Sequence, residues 1–125
     1  MFIMKNIKED YENVVRYLQD QSAHEQQNQM QLQTENRDDE AVFAKIRWNL
    51  WNNVFPAFAK IAHQQSDSPA TFVENLRNRL LNVKEQWQKA LEKAEKFEEY
   101  AEIAKEQQKL QTVDNVLSYL ETIEV

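Results

Sequence analysis

Chemistry in this sequence would have to come from two histidines, a run of acids or one arginine set among apolar residues. A di-metal carboxylate bundle needs Glu-x-x-His on inward faces, so that carboxylates and imidazoles converge from several helices. Neither histidine completes that spacing: Gln21 stands three places before His24, and Lys60 three before His63. Both are expected to be surface or capping residues, and no metal site is predicted. The absence of cysteine rules out a disulfide framework, a thiolate nucleophile and a Cys-bearing zinc site. Ser66, Asp67 and Ser68 read as a cap and turn, not as members of a Ser-His-Asp triad. Glu102 and Glu106 fall one turn apart on a helix, yet acid and base work needs one carboxyl pushed towards neutral pH by its site. These two share an acidic run with Glu98 and Glu99 that is expected to be solvated. The sequence therefore predicts no catalytic residue and no cofactor, and the chain is read as a non-enzyme.

Arg47 is different, because it stands on an otherwise apolar arc with Phe43, Trp51, Val54 and Phe58. A guanidinium there either pairs with an acid of another helix or faces a partner. Its stem can also run along apolar surface to water, and Trp51, one turn on, is placed for a cation–π contact. Trp48, at the edge of the arc, is the expected exposed aromatic. Arg47, Trp48 and Trp51 are the predicted partner-binding residues.

The elements that must carry these side chains follow from what the chain lacks. Its 125 residues include no Gly and only two Pro, Pro56 and Pro69. Hairpins, barrels, Rossmann domains and phosphate loops need Gly wherever the backbone must reach φ > 0, so an all-α fold remains. Residues 1–125 are read as a single helical-bundle domain. Ile3, Ile7, Tyr11, Val14 and Leu18 recur at steps of three and four, giving a first helix over about 3–33 whose Gln-rich second half is poorly packed. Asp38 or Asp39 is expected to cap a second helix over about 39–65, the most apolar and most buried, with Val42 and Ile46 on its core face. Pro56 lies inside it and should bend or break it, with Asn49, Asn52 and Asn53 near enough to satisfy the freed backbone. Ser68 as N-cap and Pro69 at the first helical position start a third helix, about 69–96. Its stripe through Leu76, Leu80, Val83, Trp87 and Ala94 gives way to a rotated one at Tyr100, which places a turn at 96–99 and a fourth helix over about 99–124. Thr112 to Asn115 is the rival break. Matched lengths and short links predict an antiparallel up-down-up-down four-helix bundle with a Pro-kinked second helix.

Charge divides along the chain. Residues 1–40 and 98–125 each carry net −5, whereas 41–68 and 69–97 each carry net +2, giving −6 in all. First and last helices are neighbours in an up-down bundle, so an acidic side should oppose a weakly basic one. The acidic balance and the Glu interleaved among Arg77, Arg79, Lys84 and Lys89 argue against direct nucleic-acid binding. Lys45, Arg47 and Lys60 with Trp48 and Trp51 resemble interfacial composition, but burial in a bundle accounts for the same residues, so no membrane partner is expected. Met1-Phe2-Ile3-Met4 is too short for a signal-peptide core, and the chain is read as cytoplasmic. Elimination leaves a non-catalytic acidic helical protein that binds a protein partner or itself, as in a homodimer. The alternatives are an inhibitor of the phage-encoded kind occupying the basic groove of a nucleic-acid-binding enzyme, and a small-ligand-binding bundle with its pocket at Pro56.

Overall fold

A computed structural model describes residues 6–123 of the chain. It is an all-α four-helix bundle, and among the described residues there is no strand. The first helix, α1, spans Ile7–Thr34. Its N-cap is Asn6, whose side chain accepts from the Glu9 amide at 2.8 Å, and Glu9 and Asp10 sit in the first turn where the helix dipole favours negative charge. Ile3, expected on the first stripe, lies outside the described residues, as does Glu124 of the expected last helix.

With no Gly available, the two tight reversals are made by other residues. α1 ends in a Schellman turn: the Asn36 amide donates to the Gln33 carbonyl and the Arg37 amide to the Leu32 carbonyl at 2.8 Å. Asn36 takes φ 59°, the left-handed conformation that Asn tolerates best after Gly. The second helix follows directly, beginning with α2 (Asp38–Asn49). Asp38 and Asp39 do not cap it as expected. Arg37 is the N-cap and makes no side-chain capping bond, because the Schellman turn closes one residue earlier and places both acids inside the first turn.

The second helix changes pitch just before Pro56. A π-helical segment, Leu50–Val54, links α2 to α3 (Phe55–Gln64), and the Phe55 amide reaches back five residues to the Leu50 carbonyl. A wider turn moves the carbonyl four residues before Pro56 away from the pyrrolidine ring. The nearby asparagines bond to one another and not to freed backbone. Asn53 Nδ2 donates to Asn49 Oδ1 at 2.7 Å, Asn52 Nδ2 donates to Asn53 Oδ1 at 3.1 Å, and the Ser22 hydroxyl of α1 donates to Asn52 Oδ1 at 3.2 Å.

The corner at Ser66–Ser68 forms as the sequence implies. Ser68 accepts from the Thr71 amide, Pro69 opens α4 (Pro69–Lys96), and Asn75 Nδ2 ties back to the Ser66 hydroxyl at 2.7 Å. α4 closes with a second Schellman turn, in which Glu98 carries φ 54° and the Glu99 amide donates to the Ala94 carbonyl. α5 (Tyr100–Glu121) completes the bundle. The rival break does not form: Thr112 is buried in mid-helix, its hydroxyl donating to the Gln108 carbonyl at 2.7 Å.

Contacts between successive helices pair rising with falling residue numbers. Tyr11 stacks on His63, Ser22 meets Asn52 and Glu25 meets Arg47. Lys84 meets Asp114, and Lys109 lies over the Trp87 ring. The main core is built by Val14 and Leu18 of α1, Trp51 and Phe55, Phe72, Leu76 and Leu80 of α4, and Val113, Val116 and Leu120 of α5. Truncating one of its aromatic rings would cost about 3–5 kcal/mol.

This core does not run the full length of the bundle. Beyond the level of Trp51, Leu80 and Val113, a separate small cluster of Leu32, Ala41 and Ala44 joins only α1 to α2. The inward face of α5 shows why: going up from Val113, the same face presents Lys109 and then Glu106, which is 7% exposed. Charged side chains enter the layer between the two helical hairpins, α1–α2 and α4–α5, which stay in contact through α2 and α5. Glu106 is thus not part of a solvated acidic run. It is buried and paired with Lys109 at 2.8 Å, whereas Glu102 is exposed.

Two further placements depart from the sequence reading. Val42, expected in the core, is 49% exposed, because the alanines at 41 and 44 form the face that meets α1 and let the two backbones approach closely. His63 is not a surface or capping group: its ring is half-buried between Tyr11, at 4.3 Å between centroids, and Phe72.

Candidate interaction site at the hairpin-turn end

Arg47 bridges the two hairpins. Its side chain is 22% exposed and lies between three helices: Nε donates to Glu25 Oε1 of α1 at 2.8 Å, and Nη1 donates to Gln108 Oε1 of α5 at 2.6 Å. The guanidinium is therefore held by an acid of another helix, the first of the two readings its position allowed. Glu25 is 13% exposed and its second oxygen is buried without a hydrogen bond, so the carboxylate depends on Arg47 for most of its compensation. One arginine joins the two hairpins where the apolar core has ended.

The other two residues expected to bind a partner sit elsewhere. Trp51 is 2% exposed and packs edge-on against Tyr17 at 5.7 Å and Phe55 at 5.5 Å. It is a core residue that no partner reaches, and the π segment that carries it turns its ring inward. Trp48 is half-buried and not the most exposed aromatic. That place belongs to Tyr100, 73% exposed, and Phe97, 60% exposed, which flank the left-handed Glu98 at the α4–α5 turn. Lys96 lies over the Phe97 ring at 5.8 Å. Met30 and Val42 are exposed near the α1–α2 turn. Four of the five exposed large apolar side chains among the described residues thus lie towards the two hairpin turns, with Leu81 the exception.

Grooves open on both sides of α2 at this end. One, about 440 Å³, lies between α2 and the α4–α5 hairpin, with Val42, Ile46 and Leu50 facing Trp87 and Lys109. A smaller one, about 230 Å³, lies towards α1 and includes Gln29, Asp38 and Lys45. Pro56 lines none of the clefts described. At the opposite end a polar groove of about 520 Å³ runs between α1 and α5 beside stacked Tyr17 and Tyr119. Burial, and secondarily the neighbouring Tyr119 phenol, pushes the Tyr17 phenol above its ordinary value.

The site brings no nucleophile, base and orienting group together, and among the described residues no three His, Cys, Asp or Glu side chains are placed to hold a metal ion. Nor is any described helix long and apolar enough to cross a membrane. The division of charge seen in the sequence is used partly inside the chain, where Arg47–Glu25 and Lys84–Asp114 each join a weakly basic segment to an acidic one. No family model, curated protein or solved structure matches the chain.

Proposed function

We propose that this chain is a non-catalytic helical interaction protein whose end formed by the α1–α2 and α4–α5 turns is its binding surface. The observation that supports this reading is the gathering of exposed Met30, Val42, Phe97 and Tyr100 at that end. Exposed apolar side chains grouped beside charged ones are how a soluble protein presents a contact surface. Arg47 serves this surface from behind, as the tie that holds the two hairpins at a fixed separation. The reading is tested by quantitative capture with the wild-type chain and with a Phe97→Ser, Tyr100→Ser variant. Both side chains are exposed, so the variant keeps its fold. Proteins captured by the wild type and lost by the variant are the expected result. Identical capture by the two contradicts it.

A further inference from the structure

We infer that a second copy of this chain occupies the exposed face of α2, in a two-fold symmetric pair whose axis passes beside Val42. The inference rests on the reading of the hairpin-turn end as a protein-binding surface and names the partner for its α2 face. Asp38, Val42, Lys45 and Asn49 fall within about 60° of one another around the helix axis, so they form one ridge. Val42 and Lys45 line both grooves, which makes the ridge the divide between them.

A ridge with a groove on either side is the shape that two copies of one helix can exchange. Its charge decides the orientation. Asp38 and Lys45 are seven residues apart, about 10 Å along the axis, too far to pair within one helix. Neither has an ion-pair partner among the described residues. When two α2 helices cross antiparallel with Val42 near the centre, Lys45 of each copy falls opposite Asp38 of the other. Both charges are matched twice over, and the exposed Val42 is covered. A parallel crossing would set Lys45 beside Lys45 and Asp38 beside Asp38. The pattern is self-complementary in one direction only. A contact confined to three turns of helix is small, so the pair is a weak one.

Sedimentation equilibrium of the full chain over about 5–500 µM tests this. The wild type is expected to pass from monomer to dimer in that range. Lys45→Glu alone and Asp38→Lys alone should each weaken dimerisation by about tenfold or more, because each sets like charges opposite one another twice in the pair. An equimolar mixture of the two single variants should recover a heterodimer of near wild-type affinity. The acid introduced at position 45 of one chain then meets the lysine introduced at position 38 of the other, and the native Asp38 meets the native Lys45. Val42→Asp should leave only monomer. All three positions are on the surface, and circular dichroism confirms that each variant is folded. A wild type that stays monomeric throughout overturns the inference, as does a dimer indifferent to all three substitutions or a mixture that fails to recover. A monomer whose capture of other proteins still depends on Phe97 and Tyr100 removes the dimer and leaves the wider reading standing. A monomer indifferent to those two as well removes both.

Discussion

Arg47→Ala is the perturbation that bears most directly on how the two hairpins are held together. It removes two charge-assisted hydrogen bonds, at 2.8 Å to Glu25 and 2.6 Å to Gln108. Bonds of this kind contribute about 1.5–3 kcal/mol each when well buried. The side chains of Arg47 and Glu25 are 22% and 13% exposed, so solvent screens part of that and the expected loss is about 2 kcal/mol in total. For a chain of this length that corresponds to a fall in melting temperature of about 8 °C. Urea unfolding followed by circular dichroism measures the free energy, and Arg47→Met separates charge from packing because it retains an apolar stem. Both variants should lose similar stability. A cycle with Glu25→Gln should show a coupling of about 1 kcal/mol or more, largely preserved at high salt because the pair is shielded. Stability unchanged to within about 0.5 kcal/mol, or a coupling near zero, would refute the tie.

Four other expectations rest on the geometry. Glu98→Gly should stabilise the fold by about 1 kcal/mol, since Glu98 holds φ 54° in a turn where an L-residue is strained and Gly is not; thermal unfolding reads it. Asn36→Gly should gain less, because Asn tolerates the left-handed region better. The raised Tyr17 value predicts an alkaline loss of stability. The unfolded phenol, near 10.0, releases its proton before the folded one, so the contribution of the neutral ring is intact below that pH and falls away above it. Tyr17→Phe should flatten the decline of the unfolding midpoint between about pH 9 and 11. Trp51→Ala should cost about 3–5 kcal/mol as a core cavity; a change below about 1 kcal/mol would return Trp51 to the surface.

What was legible in the sequence was local. Ser68 and Pro69 set the start of α4 through chemistry contained in a few adjacent residues, and the rotation of the apolar stripe after Ala94 marked its end near Lys96. The two Schellman turns were hidden because Asn36 and Glu98 stand where Gly would have announced them. Burial was harder, since periodicity reports which residues are apolar and not which neighbour comes close. Val42 is larger than Ala41 and Ala44, yet those two small residues define the α1 contact and turn Val42 outward. The Arg47 partner could have been found by hairpin arithmetic. A reversal centred on Asn36 sets residue 25 opposite residue 47, and Glu25 is the acid standing there. Glu106 could not, because its burial depends on how the second hairpin sits against the first. The periodicity puts Tyr100 on an apolar stripe, and only the turn at Glu98 shows that its ring and that of Phe97 stay in water.

Self-association through the outer face of α2 comes down to one measurement. Hydrogen–deuterium exchange of the wild-type chain, compared at concentrations well below and well above its association midpoint, tests it most directly. Amides within 38–49 are predicted to gain protection at the higher concentration. Those of the first half of α1 and the second half of α5, at the closed end, should be unchanged. Protection confined to the closed end, or identical exchange at both concentrations, would contradict this placement.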